Sequence, residues 1–210
     1  MLAQLQLKSE KHTYFAINRK APYLAPMNTD NPWKTLSSTE MYNNNWIAVT
    51  EHQVVNPNGG DGIYGEVHFK NIAIGILPLD ENHFTWIVGQ YRFPIKAYSW
   101  EIIEGGGPLS HDPVESAKRE LAEESGIIAQ KFTEIQRMHL SNSVSDELAI
   151  IYLAQDLKMG KSSPDETEKL VIRKIHFNEA YEMVMNGEIT DSISVAAILK
   201  VKILIEERKI

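Results

Sequence analysis

The chain has 210 residues, 43% hydrophobic and 23% charged, with a net charge of −7 and no cysteine. That is enough material for one domain with a full core plus an extra element. The acidic balance argues against a binder of long nucleic acids, the absent cysteine removes disulfides and thiolate metal sites, and no apolar run reaches the ~20 residues of a membrane span. The start, MLAQLQLKSEK, lacks an apolar stretch of signal-peptide length, so a cytoplasmic protein is the expectation.

Residues 1 to about 40 are rich in Pro and Asn without a steady period, and read as an extension that is mostly loop, ending near residue 43. Ser38, Thr39 and Glu40 look turn-like. Residues 46 to 50 combine aromatic and β-branched side chains and predict a strand. Residues 56 to 62, NPNGGDG, are a dense turn signal. Residues 63 to 69 return as the second arm of a hairpin spanning 46 to 69. Residues 71 to 79 and 84 to 91 predict two more strands. A short one at 98 to 103 leads into Gly105, Gly106 and Gly107.

Residues 113 to 125 predict a helix. Asp112 suits the N-cap, Pro113 the first turn, Glu115 lies three residues past the cap, and Gly126 fits the position just past the end. Val114, Ala117, Leu121 and Ser125 form its apolar side. Glu120, Glu123 and Glu124 fall on a flank, where spacings of three and four make like charges repel. A hard divalent cation would reverse that loss; the bland alternative is a solvated acidic face. Strands follow at 132 to 140 and 147 to 154, then a polar loop at 158 to 168 and a strand at 171 to 177. Helices are predicted at 179 to 185 and 193 to 207, with Thr190 and Asp191 ahead of the last. Strands outnumber helices, which interrupt them singly, so the class is α+β.

Arg119-Glu120-Leu121-x-Glu123-Glu124-x-Gly126-Ile127, with Gly105 fourteen residues before Arg119, resembles the Nudix hydrolase signature G-x5-E-x7-R-E-U-x-E-E-x-G-U. At ordinary residue frequencies the six matching fixed types arise by chance on the order of once in ten million start positions. One position departs: the first Glu of the signature falls on His111. With GQYRFPIKAYSWEIIEGGG before the signature and PDETEKLVIR after it, the likeness spans roughly residues 44 to 202. It points to the ADP-ribose pyrophosphatase branch.

The resemblance implies a mixed sheet sandwiched between helices, with the N-terminal hairpin as an extension. It implies Mg²⁺, or Mn²⁺, held by Glu120, Glu123, Glu124 and the backbone carbonyl of Glu104. Glu166 or Glu168, in the second acidic loop, would be the base or an extra ligand. Arg92 suits phosphate, because a guanidinium pairs bidentately with its oxygens. Trp100 and Glu101 stand near the family's nucleoside contacts, although Trp100 reads equally as core, and Gly105 and Gly106 allow close backbone approach. Arg119 would pair structurally with position 111, where His111 brings no fixed negative charge. Ile103 replaces the branch's usual proline. Ser145-Asp146-Glu147 is a weaker match to a loop near the substrate, or else a turn cap.

The expected activity is Mg²⁺-dependent cleavage of the pyrophosphate in a nucleoside diphosphate joined to another group, with ADP-ribose or a nucleotide sugar as substrate. The rivals are a non-catalytic nucleotide-binding sensor and a hydrolase of nucleoside triphosphates, coenzyme A or dinucleoside polyphosphates. Strands outside the core often pair across subunits in this branch, so a homodimer is expected.

Overall fold

The computed structural model describes residues 30–160 and 170–210. Among the described residues, ten strands and three helices run in the order β1 (Lys34–Asn43), β2 (Ile47–Val55), β3 (Asp61–Phe69), β4 (Asn71–Pro78), β5 (Phe84–Arg92), β6 (Ala97–Glu101), β7 (Ile103–Pro108), α1 (Pro113–Ser125), β8 (Ile127–His139), β9 (Leu148–Met159), β10 (Val171–His176), α2 (Phe177–Met185) and α3 (Ser192–Glu206). Trp33–Ile210 form one compact unit. Among the described residues no helix is long and apolar enough to cross a membrane.

Three sheets result, in the orders β1-β2-β3, β10-β5-β6 and β7-β4-β9-β8. In the last, β4 and β9 run parallel while β7 and β8 pair antiparallel at the edges, so that sheet is mixed. Alternation along β4 and β9 feeds two cores. Ile74, Ile76, Ile150 and Tyr152 pack with Ala117 and Leu121 of α1. Leu77, Ile151 and Leu153 face the other way, against Phe177 and Ala180 of α2 and Ile193, Ala197 and Ile198 of α3. This is the expected α+β sandwich, helices over both faces.

Three expectations change. Residues 34 to 40 are not loop: they form most of β1, which pairs along β2, so the N-terminal element is a three-stranded sheet rather than a hairpin. Ser38, Thr39 and Glu40 lie within that strand, opposite His52, Glu51 and Thr50. Every β1 residue is exposed and its ladder slips register twice, so no burial period marks it. The second change concerns the three glycines, which belong to β7: Gly105, Gly106 and Gly107 lie opposite Ile74, Ala73 and Ile72 of β4. The single expected strand at 98 to 103 is two strands, divided at Ile102, where the chain passes from one sheet to another.

Candidate active site

Helix α1 starts and stops where local chemistry dictates. The Asp112 side chain accepts the Val114 N–H, Pro113 opens the first turn, and Gly126 closes the helix at φ 70°, a left-handed conformation cheap only for glycine. Leu121 and Ala117 are fully buried in the core, which fixes the rotation of the helix. The three glutamates consequently sit at graded depth. Glu123 is 44% exposed, Glu120 13%, and Glu124 is buried at 4%.

Strand β7 runs along this helix. Side chains alternate along a strand, so Gly105 and Gly107 face α1 while Gly106 faces away. A Cβ on Gly105 would come within 2.5 Å of Glu120 Cγ and closer still to its carboxyl; one on Gly107 would lie 2.8 Å from Ser116 Oγ; one on Gly106 would meet only Asn71 Cβ at 3.9 Å. Glycine at 105 is therefore what lets the Glu120 carboxyl lie against the backbone just after Glu104.

Arg119 organises the acids. Its Nη2 donates to Glu120 Oε1 at 2.6 Å and to the Gly106 carbonyl at 3.0 Å, and its Nη1 to Glu123 Oε2 at 2.7 Å. Although partial burial opposes its charge, the Glu120 and Glu123 carboxylates raise its affinity for the proton. The expected pairing with position 111 is not made: the His111 ring meets Ser110 Oγ at 3.3 Å instead. Arg119 thus spends its donors on the expected metal ligands. Among the described residues no three acidic or histidine side chains converge on one point. The donor chemistry is nonetheless that of a hard cation: carboxylate and carbonyl oxygens, with no nitrogen or sulfur.

A second group of charges stands beside Glu104. Arg92 grips Glu101 through Nε at 2.9 and 3.1 Å and through Nη2 at 2.5 Å, and its Nη2 lies 3.9 Å from Glu104 Oε2. The Glu101 side chain is only 3% exposed, so its carboxylate is neutralised by this fork rather than by solvent. The pairing with Glu101 also raises the Arg92 pKa. Glu104 takes a hydrogen bond from Ser194 Oγ at 2.9 Å. Burial first, and the neighbouring Asp191 carboxyl second, push Glu104 well above the usual carboxylate range.

Trp100 lies on the other face of β6. It is half-buried at the margin of the α2/α3 core, edge-on to Tyr98 at 5.5 Å, with the Arg173 guanidinium 5.0 Å above its ring. Asp146 docks the N-terminal sheet: its carboxylate meets the His68 ring and accepts the Phe69 N–H at 2.8 Å. Glu166 and Glu168 lie outside the described residues.

The structure brings Gly105, Arg119, Glu120 and Glu123 together where α1 meets β7, with Arg92 and Glu101 beside the neighbouring Glu104, while Glu124 is buried on the same helix. Sequence reading missed Ser194 as a contact of this seam and took Asp191 only for a cap. The signal was a serine inside the apolar stripe Ile193, Ala197, Ile198, Val201 of the last helix.

Comparison with known proteins identifies the family. The model of the nucleoside diphosphate sugar hydrolase N-terminal domain matches residues 33–67. An ADP-ribose pyrophosphatase of Mycobacterium tuberculosis is 30% identical over 177 residues, covering 82% of this chain and 84% of that protein. The chain belongs to the Nudix hydrolases, in their ADP-ribose pyrophosphatase-like branch. It is accordingly an enzyme of the pyrophosphohydrolase class. An ADP-ribose pyrophosphatase of Bacillus subtilis is 27% identical over 167 residues, 79% of this Nudix chain and 90% of that one. The solved structure titled ADP compounds hydrolase superposes with a TM-score of 0.75 over 84% of this chain and 95% of its own, at 19% identity, a likeness of fold.

Proposed function

We propose that this Nudix enzyme hydrolyses the pyrophosphate of a nucleoside diphosphate joined to a second group, ADP-ribose or a nucleotide sugar, with Mg²⁺ as its metal. Water adds to one phosphorus, the bridging P–O bond breaks, and the bridging oxygen leaves with its phosphate. The products are a nucleoside monophosphate and a phosphorylated remainder. The observation that carries the reading is the Glu120 carboxyl lodged against Gly105, one residue past the Glu104 carbonyl, with Glu124 buried one turn further along the same helix.

Glu120, Glu123, Glu124 and the Glu104 carbonyl would hold the cation. Bound there, Mg²⁺ would supply the positive charge that offsets the pyrophosphate oxygens. Arg119 neutralises Glu120 and Glu123 in the structure described here, and its release frees two anionic donors at once. Gly105 seats the Glu120 carboxyl, and Gly106, where a Cβ would meet only Asn71 Cβ at 3.9 Å, leaves the β7 backbone open to a phosphate. Arg92, 39% exposed and anchored by Glu101, presents the remainder of its guanidinium to the same anion, with Trp100 further along β6. Glu166 or Glu168 would orient or deprotonate the water, a role that rests on sequence alone.

The test is Glu124→Gln assayed against a panel of ADP-ribose, nucleotide sugars, nucleoside triphosphates, coenzyme A and dinucleoside polyphosphates, with phosphate-product detection. The variant is expected to lose Mg²⁺-dependent turnover of diphosphate-linked substrates. Wild-type rates in the variant would end the proposal; a clear preference of the wild type for another arm would end its substrate clause.

We also propose a homodimer. Leu36, Met41, Tyr42 and Ile63 of the N-terminal sheet are each more than half exposed, more apolar surface than a lone three-stranded sheet ordinarily shows water. Sedimentation at micromolar concentration is expected to give twice the chain mass of 23.8 kDa. The cysteine-free composition supports the cytoplasm as its compartment.

A further inference from the structure

Ser194 stands in the first turn of α3, completely buried. Its Oγ accepts the Ile102 N–H at 2.9 Å and donates to Glu104 Oε1 at 2.9 Å, while its own N–H donates to Asp191 Oδ2 at 2.8 Å. One hydroxyl thus uses both its proton and a lone pair, and both partners lie about ninety residues earlier in the chain. Ile102 is the residue at which the chain leaves β6 in one sheet and enters β7 in another. No ladder hydrogen bond can fix a residue between two sheets, so the Ile102 N–H has to find its acceptor elsewhere, and Ser194 supplies it.

The contact is reinforced from below. A Cβ on Gly75 of β4 would lie 2.5 Å from Ile193 Cγ2 and 3.2 Å from Ile102 Cδ1. The start of α3 is therefore pressed into the space that a side chain on β4 would take, directly beside Ile102. Two residues beyond Ile102 is the carbonyl of Glu104, and one further is the glycine against which Glu120 rests. The position of that carbonyl relative to the acids of α1 is set by how β7 enters its sheet.

We propose that Ser194 is a positioning residue for the hydrolysis: it clasps the Ile102–Glu104 crossing so that the Glu104 carbonyl stays in register with Glu120 and Glu124. This deepens the reading given under Proposed function and rests on it. The last helix, outside the signature, then sets the metal affinity of the site. Asp191 assists by capping the turn that holds the hydroxyl in place.

The experiment uses the full chain as Ser194→Ala, Ser194→Cys and, as a control of fold alone, Ala197→Gly. Ala197 is fully buried one turn further along α3 and touches neither Ile102 nor Glu104 through a polar group. Mn²⁺ binding is read by the electron paramagnetic resonance of the free ion. kcat, KM and the half-saturating Mg²⁺ are measured on ADP-ribose or the substrate the screen selects, alongside the melting temperature. Ser194→Ala is expected to weaken Mn²⁺ binding about ten-fold and lower kcat about ten-fold or more, with KM within about three-fold of wild type. Ser194→Cys is expected to fall between. Ala197→Gly is expected to lose melting temperature while binding Mn²⁺ as wild type does.

Wild-type Mn²⁺ affinity in Ser194→Ala overturns the proposal, and so does an Ala197→Gly variant that weakens the ion equally for each degree lost. If Ser194→Ala does not fold, Ser194→Cys decides by the same criterion. Failure of the reading beneath is separate: it shows as full activity in Glu124→Gln whatever Ser194 does.

Discussion

Replacing Gly105 by alanine tests the site at its tightest contact. The new methyl would sit 2.5 Å from Glu120 Cγ and closer to the carboxyl, whereas carbon atoms rest about 3.5–4.0 Å apart. The β7 backbone is pinned to β4 by the pairing of Gly105 with Ile74 and Gly106 with Ala73, so the side chain of Glu120 yields rather than the strand. Its carboxyl has to retreat by about 1 Å or more. A displacement of about 1 Å at a reacting centre costs up to about 100-fold in rate. We therefore expect kcat to fall about 10- to 100-fold, which is about 1.4–2.7 kcal/mol of barrier. Stability moves little: alanine restricts the unfolded chain by about 0.4–1 kcal/mol, which offsets part of the crowding, and the melting temperature should stay within about 4 °C. Gly65→Ala in β3, away from the site, is the control, because a methyl there would meet nothing within 4 Å. It should retain near-wild-type kcat and half-saturating Mg²⁺. Steady-state kinetics with a metal titration on both variants decides. Equal activity in the two, at wild-type level, would refute the claim that Glu120 works from its seat on Gly105.

Three further outcomes follow from the same geometry. His111→Glu offers Arg119 a third carboxylate and loosens its hold on Glu120 and Glu123, so half-saturating Mg²⁺ should drop about two- to five-fold, the worth of one exposed ion pair; an unchanged or higher value counts against the pairing. Leu121→Ala removes a fully buried side chain from the α1 core and should cost about 2–5 kcal/mol, a fall in melting temperature of about 4–20 °C; a loss under about 2 °C would show that α1 is not seated as described. Burial and the nearby Asp191 raise the Glu104 carboxyl, so the folded state holds this proton more tightly than the unfolded chain. The stability it contributes is present below the ordinary carboxylate pKa and is lost as pH rises through the elevated value, at up to about 1.4 kcal/mol per pH unit. The melting temperature of Glu104→Gln should accordingly gain on wild type as pH rises across that window, and a difference independent of pH would contradict it.

What the sequence reveals depends on how far apart the deciding groups lie. Helix α1 matches its expected bounds at both ends because Asp112, Pro113 and Gly126 act within one turn of the backbone they terminate. β1 escapes because all ten residues of its face and edge are exposed, leaving no alternation to read. The glycines at 105 to 107 look like a loop since glycine packs nothing across a strand; their strand character comes from Ile72 and Ile74 of β4, some thirty residues earlier in the chain. Arg119 shows the same limit. Its place in the signature is visible, but its choice of Glu120 and Glu123 over position 111 is a matter of geometry. Glu124, set on the same flank as its neighbours by helical spacing, proves buried at 4% exposure, a depth that spacing along one helix does not reveal.

The seam between β7 and α1 is narrow for a physical reason. Two helical layers press on the sheets from opposite sides, and at three places a helix side chain fills the volume a strand side chain would need: Ile193 at Gly75, Glu120 at Gly105 and Ser116 at Gly107. Two of those contacts come from α1 and one from α3, so the backbone between Gly75's partner Glu104 and Gly107 is gripped from both faces. Close-packed interiors transmit small displacements instead of absorbing them. A shift of α3 at Ile193 must therefore reach the Glu104 carbonyl, and a shift of β7 must reach the Glu120 carboxyl. The acids of the signature hold their places only as well as the layer on the far side of the sheet allows.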